Sequence, residues 1–421
     1  MENRPTGPPG TVALAGAEFG WGSTGKLSAV IAALRNRSPR PLRFIGLASG
    51  IGRGVLAEHG VERWYDVSAD DRRSVLDIAR REDVTVGLVV LEGPAAMALE
   101  AAGVPTVFVD SLPFLWTEAD RDSLPLDASV YCAQRCVELP EGSRGVLSSI
   151  RNLRWVEAVV ARSCPGNGPG DGNGTGGRFG SGPGVRPSAG PPVPLPPPRR
   201  ALVSLGGLRS PTLPDWTRYP YLVVPPVLSA LESQGVREVH VAGNLPGEYV
   251  PEPVATPRTE VTYGPLAHGA FLDRLATADI LLTSPGLTTL LEAGALARPA
   301  VCLPPQNLSQ ILNGRFHSRA VGTDVRVRWP ERVFSETGVL TDRTGAEESA
   351  LRVIYGGIAA AAEDAPRTRA EIQDGVLAAL RRARSGAVWT GLTDTVGSAG
   401  AAQVADHVLA LLHRTPTAAA G

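Results

Sequence analysis

Short, nearly continuous apolar runs separated by helix-length stretches constrain this chain more than any other feature. In the first part they are Val12–Phe19, Leu42–Ala48, Val86–Leu91, Val104–Val109 and Ser129–Ala133. In the second they are Ala201–Leu205, Glu238–Ala242, Glu260–Tyr263, Ile280–Thr283 and Ala300–Leu303. A strand with one face in water alternates polar and apolar residues; runs without alternation are covered on both faces. The stretches between them read as helices: Leu27–Leu34, Val55–His59, Arg72–Arg81 and Pro94–Ala101, then Val227–Gln234, Phe271–Ala276, Leu287–Ala297, Leu308–Ala320 and one near Arg367–Arg384. A last helix, Ala401–Leu412, follows a Gly/Ser/Thr break. The βαβα order predicts an α/β chain with two Rossmann-like, doubly wound parallel sheets.

Between the blocks, Cys164 to Pro198 hold 11 Gly and 10 Pro in 35 residues, with almost no large apolar side chains. Such a segment buries too little surface to offset its ordering entropy. It reads as a disordered linker, Gly-rich at first and Pro-rich near Pro191 to Pro198. The expected organisation is a domain over 1–162, the linker over 163–199, a second domain over 200–385, and a C-terminal segment with the final helix over 386–421. Two such domains leave a cleft, and ligands sit beyond the carboxyl ends of the strands.

Charge narrows the function. The 421 residues carry 41 Lys+Arg against 42 Asp+Glu, a net charge of -1, which argues against a nucleic-acid partner. No apolar window is long enough to span a membrane, and the N-terminus has no signal pattern, so a cytoplasmic location is expected. Cys132, Cys136, Cys164 and Cys302 form no CxxC pair and suggest neither disulfides nor a zinc site. Among the basic residues the sole lysine is Lys26. Where arginine replaces lysine almost everywhere, a surviving ammonium invites a specific role, because the two cations differ in shape and hydration.

Lys26 closes a glycine-rich turn after the first strand, Gly16-Ala17-Glu18-Phe19-Gly20-Trp21-Gly22-Ser23-Thr24-Gly25-Lys26. Gly20-x-Gly22-x-x-Gly25 matches a dinucleotide fingerprint, and Gly20 to Lys26 most of a P-loop. Leu27 stands where a P-loop needs Ser or Thr, and the second strand ends in Ala48-Ser49-Gly50, without the carboxylate of a NAD site. What remains general is a turn that brings backbone N–H groups close to a ligand, beside an ammonium suited to an anionic group.

The second part carries Thr283-Ser284-Pro285-Gly286-Leu287-Thr288-Thr289, Glu292 after it, and then Pro304-Pro305-Gln306-Asn307-Leu308-Ser309-Gln310. A helix opening at Gly286 presents free N–H groups and a positive dipole end to a phosphate. Thr288 and Thr289 add hydroxyls, and Glu292 can accept from a ribose diol. Gln306, Asn307 and Gln310 offer both donors and acceptors to sugar hydroxyls.

That stretch resembles the donor-binding motif of GT-B glycosyltransferases, a group that includes the undecaprenyl-muramoyl-pentapeptide N-acetylglucosaminyltransferases. Val203-Ser204-Leu205-Gly206-Gly207 is similar to the glycine loop opening their donor domain, and the first glycine loop to their acceptor-side loop. Glu18 to Leu27, Asp110-Ser111-Leu112-Pro113-Phe114-Leu115-Trp116 and the Gln306 loop look most like cytosylglucuronic acid synthases of nucleoside-antibiotic pathways. The resemblance implies an inverting, metal-independent transfer of a sugar, glucuronate in the sharpest version, from a UDP-sugar to a small heteroaromatic acceptor such as cytosine. It implies no cofactor beyond the UDP-sugar co-substrate, and it leaves a homodimer open.

Glu18 and Asp110 are the candidate bases, both expected to face the cleft. Gly20, Trp21, Gly22, Ser23, Gly25, Lys26, Phe114 and Trp116 would serve the acceptor side, with the three aromatic rings forming a flat slot. Ser204, Gly206, Gly207, Ser284, Gly286, Thr288, Thr289, Glu292, Gln306, Asn307 and Gln310 would bind the donor. His59 and His407 read as surface or structural residues, and His268 as a loop residue facing the cleft. A non-catalytic nucleotide-sugar-binding protein and a UDP-sugar 2-epimerase remain alternatives.

Overall fold

Buried apolar runs from each part assemble into their own parallel sheet. The computed structural model describes residues 10–47, 52–161, 196–207, 215–245, 258–341 and 347–414. The expected linker lies outside these residues up to position 195, as does Cys164.

The first sheet contains β1 (Gly10–Gly16), β2 (Leu42–Leu47), β3 (Arg63–Tyr65), β4 (Val84–Val90), β5 (Thr106–Asp110), β6 (Val130–Gln134) and β7 (Leu153–Val156). The second contains β8 (Arg200–Gly206), β9 (Glu238–Gly243), β10 (Glu260–Gly264), β11 (Ile280–Thr283) and β12 (Ala300–Cys302). Their orders are β3-β2-β1-β4-β5-β6-β7 and β10-β9-β8-β11-β12. All pairings are parallel. Winding reverses between β1 and β4 in one sheet and between β8 and β11 in the other, and a crevice opens at such switch points.

The helices are α1 (Gly22–Arg37), α2 (Arg72–Arg81), α3 (Gly93–Ala101), α4 (Glu141–Ser148), α5 (Arg218–Ser233), α6 (His268–Thr277) and α7 (Leu287–Ala295). They continue with α8 (Leu308–Val321), α9 (Glu336–Thr341), α10 (Glu347–Ala362), α11 (Ala365–Arg384), α12 (Gly391–Val396) and α13 (Gly400–Arg414). They cover both faces of each sheet, which explains the unbroken apolar strands. Among the described residues no helix is long and apolar enough to cross a membrane.

Several boundaries differ from expectation for identifiable reasons. Helix α1 starts at Gly22, inside the glycine turn, so Ser23, Thr24, Gly25 and Lys26 are helical and buried. Val55–His59 forms only a single 3-10 turn, Ala57–His59, closed by Gly60 at φ 52°. Helix α5 begins nine residues before the expected Val227, running through Pro225 and Pro226. Each proline removes a helical donor, yet Tyr219, Leu222, Val223 and Val224 are fully buried, and that burial holds the helix together. The C-terminal segment divides between the halves. Helix α12 packs with the second sheet's core, while Val404, Ala405 and Val408 of α13 pack with Val12, Leu14 and Leu27 of the first. Glu157, just after β7, fixes that return by accepting from the Ser398 and Ala399 N–H groups at 2.9 and 2.8 Å.

Candidate functional site

Both switch points open onto one cleft of about 1360 Å³ of open space. Ala17, Phe19 and Leu91, which follow β1 and β4, line one side; Ser204, Gly206, Gly207 and Ser284, from β8 and β11, line the other. The two glycine loops meet backbone to backbone. A Cβ on Gly207 would lie 2.7 Å from Gly20 Cα. Gly20 (φ 71°) and Gly206 (φ 67°) adopt the left-handed backbone that glycine tolerates best. Glycine is therefore favoured at Gly20 and Gly206 by conformation and at Gly207 by space.

Helix α7 points its N-terminus into the cleft. Gly286 is its N-cap and supplies no side chain, so its first N–H groups are left for another acceptor. Gly286, Leu287, Thr288 and Thr289 all line the space. Lys26 reaches across from α1 and donates from Nζ to Thr288 Oγ1 at 2.6 Å. Thr288 Oγ1 in turn donates to the Gly22 carbonyl at 3.3 Å. Lys26 is 1% exposed, and burial lowers its pKa from 10.5 to about 8, with Glu292 opposing the fall. A cation held at the mouth of an uncapped helix forms a strongly anion-attracting corner.

Glu292, one turn further along α7, is buried and lines the cleft. Its Oε1 is 2.7 Å from His268 Nε2, and His268 Nδ1 is 2.7 Å from Ser28 Oγ on α1. Ser28 Oγ is also 2.6 Å from His59 Nε2. For His268, burial pulls the pKa down, but Glu292, its hydrogen bond and Glu58 outweigh it, so the net shift is upward. Burial lowers the pKa of His59. His268 opens helix α6 rather than sitting in a loop, and His59 is a buried partner in this chain, not a surface residue.

The expected polar donor-side residues all line the cleft, but several are already engaged. Gln306 Nε2 donates to Ser284 Oγ at 2.8 Å, and Gln310 Oε1 accepts from the Gln306 N–H at 2.8 Å. Asn307 Oδ1 caps α8 by accepting from the Gln310 N–H at 2.9 Å. Tyr219 and Tyr355, missed in the sequence, brace this loop: Tyr219 OH lies 2.9 Å from Ser284 Oγ, and Tyr355 OH donates to Gln306 Oε1 at 3.2 Å.

The acceptor side departs further from expectation. Asp110 does not face the cleft; it is fully buried. Its carboxylate accepts from Trp116 Nε1 (2.7 Å), Tyr131 OH (2.9 Å) and the Leu112 N–H (2.9 Å). Burial raises its pKa to about 6, while those bonds oppose the rise. Trp116 is therefore tied inward, and Phe114 is fully buried edge-on to Phe316 at 5.1 Å. Neither lines the cleft, so the three-ring slot does not form; Trp21 and Phe19 line it instead, with Ser111 and Leu112 from the loop after β5. Gly22, Ser23 and Gly25 line it as expected.

Glu18 is half-buried, between two residues that line the cleft but not itself among the lining side chains. Close to it is Glu92, at the N-cap of α3, whose carboxylate makes no capping bond. Burial first, then Asp70 and Glu18, raise Glu92 to about 7. The sequence singled out Glu18 but not Glu92, which looks like an ordinary helix-start acid.

No family model matches the chain, and no curated protein matches it. Solved structures do. MnaA of S. aureus in a co-structure with UDP aligns at 10% identity with a TM-score of 0.52, covering 97% of this chain and 99% of that one. A UDP-glucosyltransferase from Polygonum tinctorium, capable of glucosylating indoxyl and complexed with 3,4-dichloroaniline, aligns at 13% identity with a TM-score of 0.51, covering 98% and 100%. At these identities the likeness is one of fold: the α/β GT-B arrangement of two Rossmann-like parallel sheets facing a cleft.

Proposed function

We propose that this chain is a GT-B glycosyltransferase that uses a UDP-sugar, by an inverting, metal-independent displacement, on a small planar acceptor. One observation carries the reading. The free N-terminus of α7, Thr288 and the buried Lys26 ammonium converge between two glycine loops that permit close backbone approach. A diphosphate leaving group develops negative charge as the glycosidic bond breaks. Preorganised N–H groups and one buried cation meet that charge directly. Glu292 accepts from the ribose diol, and Gln306, Asn307 and Gln310 order the far wall of the donor site.

The acceptor enters beside Trp21 and Phe19, whose flat faces suit a heteroaromatic ring. Glu92, which follows β4 and lies close to Glu18 after the neighbouring strand β1, supplies the base, since a carboxyl raised to about 7 is matched to that task; Glu18 is the second candidate. Asp110 holds the loop after β5 in shape rather than taking the proton. Glucuronate as the sugar and cytosine as the acceptor are the specific version, following the sequence resemblance around Lys26 and Gln306.

The test is incubation with UDP-glucuronate, UDP-glucose or UDP-N-acetylglucosamine and cytosine, resolving UDP and product by chromatography. Free UDP together with a coupled product is expected. Donor epimerisation without an acceptor, or UDP binding without turnover across the donors and a panel of heteroaromatic acceptors, would overturn the transferase reading.

A further inference from the structure

Glu292 is not a free carboxylate waiting for a ligand. One oxygen is already bonded to His268, and the same imidazole is bonded through its other nitrogen to Ser28, on the opposite side of the cleft. His268 comes from α6 and Glu292 from α7, both on the second sheet's half, while Ser28 comes from α1 on the first. His59 continues the chain on that first half by holding Ser28 Oγ at 2.6 Å. The entrance of α6 is tied to the first half a second time, because the Gly269 N–H donates to Glu58 Oε1 at 3.1 Å. Ala267, the N-cap of α6, provides no side-chain cap, so Glu58 fills that role from across the cleft.

We propose that His268 is a positioning residue: it holds the Glu292 carboxylate in place for a ribose diol only while Ser28 holds the imidazole from the opposite half. The proposal rests on the UDP-sugar reading above. When the halves are together, both ring nitrogens are bonded, the ring cannot rotate, and Glu292 keeps one oxygen aligned toward the cleft. When they part, Ser28 leaves with α1, one nitrogen loses its partner and the carboxylate loses its rigid support. Recognition of the nucleoside hydroxyls is thereby coupled to cleft closure, while the first N–H groups of α7 meet phosphate in either state and gain the Lys26 ammonium only when the halves are together.

Protonation sets the strength of the coupling. The groups facing His268 are Glu292 on α7, Glu58 and His59 on the 3-10 turn, and Lys26 and Ser28 on α1. As imidazolium, His268 donates to Glu292 and Ser28 together, and the Ser28 hydroxyl in turn donates a hydrogen bond to Nε2 of His59, whose lowered pKa favours the neutral, accepting ring. Loss of the His268 proton removes the charge that pairs with Glu292; the neutral ring then donates to Glu292 and accepts from the Ser28 hydroxyl, which is no longer free to donate to His59.

The experiment compares UDP, 2′-deoxyuridine diphosphate and inorganic pyrophosphate by calorimetry on the full chain and on Ser28→Ala and His268→Asn, from pH 6 to 9. Wild type is expected to prefer UDP over the deoxy analogue by about tenfold, the worth of one hydrogen bond to a charged acceptor. That preference should fade as pH rises above the ordinary histidine range, and should fall at least threefold in both variants at pH 6.5, with pyrophosphate affinity unchanged. A nucleotide-free arm follows the His268 ring by NMR: Glu292→Gln should bring its pKa below 6.5, because burial is then less opposed. Binding of UDP with an unaltered preference in both variants, or an unchanged His268 titration in Glu292→Gln, overturns the positioning role alone. Failure of every nucleotide to bind wild type overturns the UDP-sugar reading and the role that rests on it.

Discussion

Replacing Lys26 by methionine separates what the buried ammonium does for folding from what it does for a ligand. In the folded chain the amine has a pKa of about 8, against 10.5 in its ordinary state. At about 1.4 kcal/mol per pH unit, charging it in the fold costs about 3 kcal/mol. The unfolded chain therefore binds the proton more tightly throughout the window between those values, and wild-type stability gains from this group as pH rises through it. Methionine, similar in length and uncharged, carries no such dependence. The stability difference between Lys26→Met and wild type should shift by about 3 kcal/mol between pH 8 and pH 10.5, the advantage of methionine being greatest below pH 8. The bond to Thr288, worth about 1.5–3 kcal/mol when charge-assisted, sets where that difference starts but not its slope. Urea unfolding at four pH values measures it. In parallel, UDP affinity should fall at least tenfold in the variant, and Lys26→Arg should not restore it, because a planar fork does not fit a site that is 1% exposed. A pH-independent difference would show that the amine is solvated and the cleft is not closed around it. Unaltered UDP binding would refute its part in the anion site.

Other changes test the rest of the site. Asp110→Asn should lower stability by about 1–3 kcal/mol, because it disturbs the bonds to Trp116 and Tyr131, yet leave turnover within about twofold; a thousandfold loss of kcat with native stability would restore Asp110 as the base. In wild type, Asp110 adds to stability as pH falls from about 6 toward 3.8, since the folded form then binds the proton more tightly, and the Asn variant should lack that gain in acid unfolding. Gly207→Ala should force the glycine loops apart, weakening UDP binding and costing about 1–3 kcal/mol in thermal unfolding, because its Cβ meets backbone that cannot rotate away. Glu92→Gln should abolish the rise of kcat/KM across pH 7, while a retained limb would pass the role to Glu18.

The architecture was legible because it rests on local patterns. Apolar runs covered on both faces carry their own signature, and ten expected strands reappear within a few residues of their observed ends. Short peripheral elements such as β3, β7 and α4 escaped, since brief segments on the margin bury too little to leave a pattern. The glycine turn and the start of α7 were also readable, because backbone conformation and free helix ends are local properties.

The direction of individual side chains was not local. Asp110 ends a strand at the carboxyl edge, as a cleft residue would, but Tyr131 on the neighbouring strand and Trp116 draw it inward. Asn307 and Gln310 have the chemistry of sugar ligands, yet helix capping and loop bracing use part of their bonding capacity. The amino-acid sequence by itself determined two parallel sheets, the glycine turns and one conspicuous lysine. Only tertiary structure decided that Lys26 meets Thr288, 262 positions away, and that Ser28 meets His268, 240 away. Periodicity acts over a few residues, whereas a buried charge takes its partner from whatever surface the fold closes over it.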